Sequence, residues 1–507
     1  MTHEIEGTSS QGLIKSMMTI GSAQALKILI SIAQIKILAV LLGPAGIGLL
    51  GIYNSLLDTS AKVSGLGLSS SGIRELASAR GDEATLSRVR VVLFTALLVQ
   101  GGLAMIIVWT IREHLAIWLF GDTQRATAIG LVGIAVLLTL LAASQTALLQ
   151  GLRKIADLSR VTVLGILAGT ATGLIAVWIA GEHGLIWFVL AQPLGAIAVA
   201  LYFTRRLPRP QAARLTLPQI WDVWRPMATL GVVFMLGELA SAATLLLIQS
   251  RIAHEIGLDG TGIFAAAWGI SMQYTGFLVM AMSADYYPRL TEVIHDRHAS
   301  NRLMNDQIQL GLAVGGPVLL LLIGFAPWVV EILYSSEFSL AAELLQWQTV
   351  GNVFMLASWP LAFAFVAAAR SRIYLFTEIF WNALFLAMAW GGLSFFGLEA
   401  TGAAFTISYI LYFALLTVLA RRRHGFQWEK LSIQLTALHA ALACLVLGLA
   451  TIAPSTGAIA STVLALITGN MGLRIVLRKI GPGGRFQSHL SRIYSVLGWP
   501  LDKRNEN

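Results

Sequence analysis

Apolar runs of about 20 residues recur from one end of this 507-residue chain to the other. A run of that length crosses the hydrocarbon core of a bilayer as a helix rising 1.5 Å per residue. Lipid offers the backbone no hydrogen-bond partner, so a crossing segment must satisfy its own N–H and C=O groups, and a helix does so within one segment. The runs centre near residues 27, 55, 100, 138, 170, 194, 237, 272, 317, 357, 383, 408, 442 and 465. The expectation is an all-α polytopic membrane protein of about 14 transmembrane helices.

Charge supports this. Charged residues make up 12 % of the chain, about half the usual share for a soluble domain, and no long polar stretch remains for a separate globular domain. Cys444 is the single cysteine, which excludes a disulfide framework or a cysteine-based metal site. The start, MTHEIEGTSS, lacks a basic n-region and precedes an apolar run too long for a cleavable signal, so it is expected to stay uncleaved. The net charge of +9 does not point to nucleic acid, because Lys and Arg sit in alternate loops. One set holds Arg74, Arg80, Arg153, Lys154, Arg205, Arg206, Arg297, Arg370 and Arg421 to Arg423, whereas GPAG (43–46), GEHG (181–184), GLEATG (397–402) and APSTG (453–457) hold none. By the positive-inside rule both termini are expected to be cytoplasmic. The loops on the other face are short, the longest being about 111–127.

An internal repeat is visible. GPAGIGLLGIYNSL (43–56) is similar to GLDGTGIFAAAWGI (257–270) at an offset of 214, and Arg74 and Arg289 lie 215 apart. Six spans per repeat, an even number, predicts parallel repeats with substrate sites between the halves. The expected organisation is an N-terminal lobe (1–204), a cytoplasmic linker (205–225), a C-terminal lobe (226–423), two additional spans (424–477) and a tail (478–507). In that tail Phe486, Leu490, Ile493, Tyr494 and Leu497 follow a helical period beside basic residues, as in a helix lying on a membrane surface or a loosely ordered tail.

Ionisable residues inside the spans are the candidates for function. A lysine near mid-bilayer costs roughly 3 kcal/mol on insertion scales, so its retention implies a hydrated path or an anionic ligand. On the first span Gln24, Lys27, Ser31 and Gln34 fall within about 80° of one another and form a polar stripe. Lys36 points to the other side and either lines the path or snorkels to the interface. On the second span Asp58 and Lys62, four apart, either neutralise one another or open to admit an anion. Glu238 is the lone acid deep in the seventh span, with Arg251 near its external end; it is either an ion-coupling group or a neutral hydrogen-bonded acid. Asp285 and Arg289 end the eighth span, and Arg372 and Glu378 start the eleventh, as gate or interface residues. His439 reads as a packing histidine. The chain has no Walker A, HExxH, CxxC or supported GxSxG motif, so no ATP hydrolysis, metal or other cofactor is expected, and no enzyme activity.

ALKILISIAQIKILAVLLGPAGIG (26–48), SADYYPRLTE (283–292), LQWQTVGNVF (345–354) and ARSRIYLFTEIF (369–380) resemble the Wzx-type translocases of O-antigen and enterobacterial common antigen. These flippases belong to the multidrug/oligosaccharidyl-lipid/polysaccharide exporter superfamily. The resemblance runs over roughly residues 12–425; the last two spans and the tail exceed the twelve-span form. It implies two six-helix lobes in a V shape, and a substrate oligosaccharide joined through diphosphate to undecaprenol, moved from the cytoplasmic to the periplasmic leaflet of a bacterial inner membrane. H⁺ or Na⁺, coupled through an intramembrane acid such as Glu238, is a candidate partner, as are a glycan polymerase and a chain-length regulator. Matching motif positions support Lys27, Lys36, Arg251, Arg372 and Glu378; Asp58, Lys62 and Glu238 stand on the physical argument alone. Two alternatives stay open: a cation-coupled drug exporter of the same superfamily, whose site should be acid-lined and aromatic, and a membrane glycan polymerase or ligase, which short external loops disfavour.

Overall fold

A computed structural model of the chain describes residues 2–207 and 216–480. Part of the expected linker (208–215) and nearly all of the tail, with its amphipathic stretch (486–497), lie outside the described residues. The first helix, α1 (Thr2–Gly65), is broken at Gly43, where φ is 63° and ψ −167°. That region of backbone space is open to glycine and closed to side chains. Pro44 follows, disfavours the α conformation in the residue before it, and opens the second half with a preset φ. Fifteen further α-helices follow among the described residues: α2 (Leu68–Ser78), α3 (Glu83–Thr110), α4 (Arg112–Phe120), α5 (Ala126–Gly151), α6 (Ile155–Ala180), α7 (Gly184–Thr204), α8 (Leu217–Glu255), α9 (Leu258–Val293), α10 (Arg297–Gly324), α11 (Ala326–Leu333), α12 (Ala341–Ala367), α13 (Ser371–Phe396), α14 (Glu399–His424), α15 (Lys430–Ile452) and α16 (Pro454–Ile480). There is no strand among the described residues.

Among the described residues eleven helices are long and apolar enough to cross a membrane, or twelve if the bent pair within α8 is one span. The expected 14 is thus not a count of separate helices. Two of the eleven, Gly21–Gly65 and Ile155–Thr204, are 45 and 50 residues long, well beyond the roughly 20 that one crossing needs. Each contains a break, at Gly43 and at the short turn Gly181–His183. Large apolar side chains cover the outside of these helices: Ile179 is 74 % exposed and Phe395 84 %. Water would not tolerate so continuous an apolar exterior, whereas acyl chains match it. The protein is a multi-pass membrane protein.

The repeat extends through the helices. α3 and α10 both run 28 residues, starting at 83 and 297, an offset of 214. α6 and α13 both run 26 residues, starting at 155 and 371, an offset of 216. Backbone details recur with them. Asp82 and Asp296 cap α3 and α10, each carboxylate accepting two backbone N–H groups. Hydrogen bonds hold both carboxyls below the usual range, Asp82 chiefly through the Thr85 hydroxyl and then the Thr85 and Ala84 amides, and Asp296 through the Ala299 and His298 amides. Positive φ falls at Gly43 and Gly257, at Arg153 and Ala369, and at Gly181 and Gly397.

By compactness the described chain forms two units, residues 1–266 with Ile332–Phe338, and 267–331 with 339–507. The division falls inside α9, not at the expected linker. In the first unit α6 and α7 pair antiparallel along a ladder of small residues. A Cβ added at Gly165, Gly169 or Gly173 would lie 3.1 Å, 2.8 Å or 3.0 Å from the Cα of Ala196, Gln192 or Phe188. Glycine every fourth residue lets the two backbones approach, as membrane helices require. The two copies of the repeated motif also touch within this unit. A Cβ at Gly48 would strike the Leu258 carbonyl, and one at Gly262, 214 residues later, would strike the Pro44 carbonyl. The contact is reciprocal, as expected of a local two-fold relation between duplicated segments.

In the second unit α15 and α16 dock on α10 through its glycines. Gly316 faces the His439 ring and Gly324 faces Ser461, while Gly472 of α16 faces the Ala313 carbonyl. His439 is buried with its Nδ1 against the Leu435 carbonyl, which fits the packing role expected of it. Polar side chains reinforce this seam: Asn305 Nδ2 donates to the Gln427 carbonyl, the Ser432 hydroxyl donates to Asn305 Oδ1 at 2.7 Å, and Gln309 Nε2 donates to Glu429 at 2.9 Å.

Candidate functional site

The candidate residues fall in both units. In the first, α1 carries the polar stripe. Lys27 is exposed and has no partner among the described residues. Gln24 and Ser31 are half-buried, and Gln34 accepts a hydrogen bond from Thr170 of α6 at 2.7 Å, with Gln192 of α7 donating to the same hydroxyl at 3.4 Å. The stripe therefore runs from Gln34, hydrogen-bonded to α6, to Lys27, exposed. Lys36 turns elsewhere and donates to the Tyr334 carbonyl at 2.5 Å, tying α1 to the Ile332–Phe338 segment of its own unit.

In the second half of α1, Lys62 Nζ lies 2.7 Å from Asp58 Oδ2, the side chains being 24 % and 56 % exposed. One turn of helix brings them together without outside help, and their exposure leaves both within reach of a ligand. Nearby the Ser55 hydroxyl donates to Gln249 of α8 at 2.7 Å in a buried contact. Glu238 on α8 is exposed with no partner among the described residues, and Arg251 pairs with Glu255 one turn on.

In the second unit Glu378 is half-buried on α13 and accepts from the Tyr412 hydroxyl of α14 at 3.1 Å. Rings surround it. Trp381 lies 4.9 Å from Tyr409 and 5.5 Å from Phe385, and Phe405 lies 4.8 Å from Tyr409 between centroids. Arg372 at the start of α13 is exposed, without a partner among the described residues. Asp285 and Arg289 pair at 2.9 Å on an exposed turn of α9. No group of His, Cys, Asp and Glu suited to a metal occurs among the described residues. Sequence reasoning missed the hydroxyl partners Thr170 and Tyr412, because a neutral residue 136 or 34 positions away carries no signal of contact.

Long apolar helices and a lipid-matched exterior define a polytopic helical membrane protein, with ionisable groups placed along its spans. The particular family follows from sequence: residues 37–343 match the family described as Polysaccharide biosynthesis protein, and the chain belongs to it. The chain is 25 % identical over 399 residues to the Lipid III flippase of Escherichia coli (strain K12), covering 76 % of this chain and 94 % of that relative. Its fold is similar to that of the lipid II flippase MurJ in an inward closed conformation, with a TM-score of 0.67, 13 % identity, and 91 % of this chain and 99 % of that one covered. It is also similar to an inward-facing multidrug resistance MATE family transporter of the MOP superfamily, with a TM-score of 0.64, 17 % identity, and coverage of 79 % and 94 %. At those identities the two structures speak to fold. The resemblance to Wzx-type flippases read from the motifs is borne out.

Proposed function

We propose that this protein flips an oligosaccharide linked through diphosphate to undecaprenol from the cytoplasmic to the periplasmic leaflet of a bacterial inner membrane, by alternating access. The observation that carries this reading is Lys27: a cation in an apolar span, exposed, and without a partner among the described residues. A diphosphate cannot cross hydrocarbon unaided, because the solvation penalty of its charge is prohibitive. A fixed ammonium beside polar side chains replaces the lost water. Family membership and the flippase relative support the same cargo class. Lys62, Arg251 and Arg372 are assigned to the cargo with Lys27; Asp58 is displaced from Lys62 as the diphosphate arrives; Lys36, held by a carbonyl, positions α1. Glu238 and Glu378 are the candidates to couple H⁺ or Na⁺, Asp285 and Arg289 to gate. The repeat supports two six-helix lobes, with both termini cytoplasmic. A glycan polymerase and a chain-length regulator are the expected neighbours.

The test is a leaflet-specific assay with a defined polyprenyl-diphosphate glycan and purified protein in vesicles. Lys27→Gln is expected to lower the flipping rate at least about tenfold, a loss of roughly 1.4 kcal/mol in the interaction, while Lys27→Arg retains most of it. Undiminished flipping by Lys27→Gln would overturn the reading. The drug-exporter alternative has one observation in its favour, the ring-lined Glu378. Export of an organic cation by the purified chain, with no effect of Lys27→Gln, would establish it instead. Formation of elongated glycan by the purified chain would point to a polymerase or ligase.

A further inference from the structure

The two helices beyond the twelfth expected span line a cavity whose residues are none of those assigned above to the cargo. This cavity, of about 350 Å³, opens between the middle of α10, the start of α15 and the end of α16. Its wall on α16 is formed by Met471, Arg474, Ile475 and Arg478, which are spaced i, i+3, i+4 and i+7 and share one face. Lys479 also lines it, and Gln309 and Leu431 close it from α10 and α15. Two acids lie at its margin: Asp306 is ion-paired with Lys479, and Glu429 accepts from Gln309. The cavity therefore brings three basic side chains together, one of which, Lys479, is paired with Asp306. Arg478 is exposed and Arg474 half-buried, so the guanidiniums stand at different depths along the same wall.

The place matters as much as the charge. The apolar span on α16 ends at Lys479, so the cavity lies where the hydrocarbon meets the headgroups, on the face that the arginine distribution assigns to the cytoplasm. Met471, three residues before Arg474, continues the lining toward the membrane interior, and Ile475 lies between the two arginines. Guanidiniums one turn apart, about 6 Å along the axis, can both hydrogen-bond a phosphate, and the apolar Met471 and Ile475 beside them suit hydrocarbon. A free inorganic anion would use the first feature and leave the second unexplained.

We infer that this cavity binds the phosphate headgroup of an anionic lipid, held by Arg474 and Arg478 with Lys479, with its chains beside Met471 and Ile475. The lipid fastens α16 to α10 and gives the two additional helices a purpose apart from the transport path. The inference does not depend on what the protein carries. A lipid phosphate has two sources, the glycerophospholipids of the bilayer and a polyprenyl diphosphate, and the experiment separates them.

The full chain in detergent is incubated in turn with cardiolipin, phosphatidylglycerol, phosphatidylcholine, a polyprenyl diphosphate or inorganic phosphate. Retained lipid is counted by native mass spectrometry. The parent is expected to retain cardiolipin or phosphatidylglycerol over phosphatidylcholine. Arg474→Gln with Arg478→Gln lowers that retention about thirtyfold, from the roughly 1 kcal/mol that each basic residue contributes at a membrane surface. Arg422→Gln, an exposed basic residue outside the cavity, leaves retention unchanged. If the double variant does not fold, Arg478→Gln alone, an exposed site, shows the same loss in smaller measure. Preference for the polyprenyl diphosphate, with the same dependence on Arg474 and Arg478, supports the site and names the other source. Equal retention by parent and variants overturns the inference. So do equal retention of phosphatidylcholine and displacement of bound lipid by inorganic phosphate at matched concentration.

Discussion

At the scale of single residues, duplication makes the charges conspicuous. With the offset of 214, Lys27 and Lys36 correspond to Ser241 and Ser250, and Asp58 and Lys62 to Met272 and Gly276. At the later offset of 216, Glu378 corresponds to Thr162. The scaffold is thus repeated, with its capping acids Asp82 and Asp296, and these intramembrane ionisable groups are not. A charge needed only to hold the shared fold would be expected in both copies, because the helices it serves are the same. These residues were legible because burying an ion in lipid is costly, so each stands out against its apolar run. Their partners were not: Gln34 with Thr170, Lys36 with the Tyr334 carbonyl, and Glu378 with Tyr412 are contacts between distant positions. The Lys27 substitutions belong at this scale, and Lys27→Gln should leave the thermal midpoint of the purified protein nearly unchanged, since the side chain is exposed and unpaired among the described residues.

At the scale of helices, close approach and capping decide stability. Gly262→Val places a side chain against the Pro44 carbonyl and the Gly48 amide, 3.0 Å from the added Cβ. Overpacking of this kind costs about 1–3 kcal/mol, so a lowered thermal midpoint is expected, with Gly276→Val as a control where nothing lies within 4 Å. A midpoint unchanged in Gly262→Val would mean that the two repeated segments do not pack as described. Capping predicts a pH dependence. The Asp296 carboxyl is held below the usual range in the folded protein by the backbone amides of Ala299 and His298. A depressed native pKa contributes stability above the unfolded value of about 4, and the contribution disappears as pH falls through the native value. Asp296→Ala should therefore melt lower than the parent at pH 7, with the gap narrowing toward pH 3. A gap independent of pH would assign the effect to something other than the ionised cap.

At the scale of the whole molecule, topology and energetics of transport come into play. Replacing Cys444 gives a cysteine-free background, after which single cysteines at Ala45 and Arg422 report opposite faces. The arginine distribution predicts that an impermeant thiol reagent outside the inner membrane labels position 45 and spares position 422. The reverse pattern would invert the orientation proposed above. Alternating access requires a ligand that binds the two states unequally, and an ion gradient supplies that bias only if an ion is bound. Flipping in vesicles should slow when the H⁺ and Na⁺ gradients are both collapsed. An unchanged rate would remove Glu238 and Glu378 from any coupling role.

Helix positions, membrane residence, the duplication and the ionisable candidates were all written in the order of residues, because each rests on local physics: an apolar run long enough to span, a glycine–proline break, a charge misplaced in lipid. Tertiary structure alone decided that the repeated glycine motifs lie against one another, that Ile332–Phe338 joins the first unit, and that α15 and α16 seat on the glycines of α10. It also decided which polar groups are satisfied and brought Arg474 and Arg478 beside Gln309 and Leu431. Such contacts join residues tens to hundreds of positions apart, and among membrane helices they rest on small residues and shape rather than on hydrophobicity, which lipid supplies equally to every face.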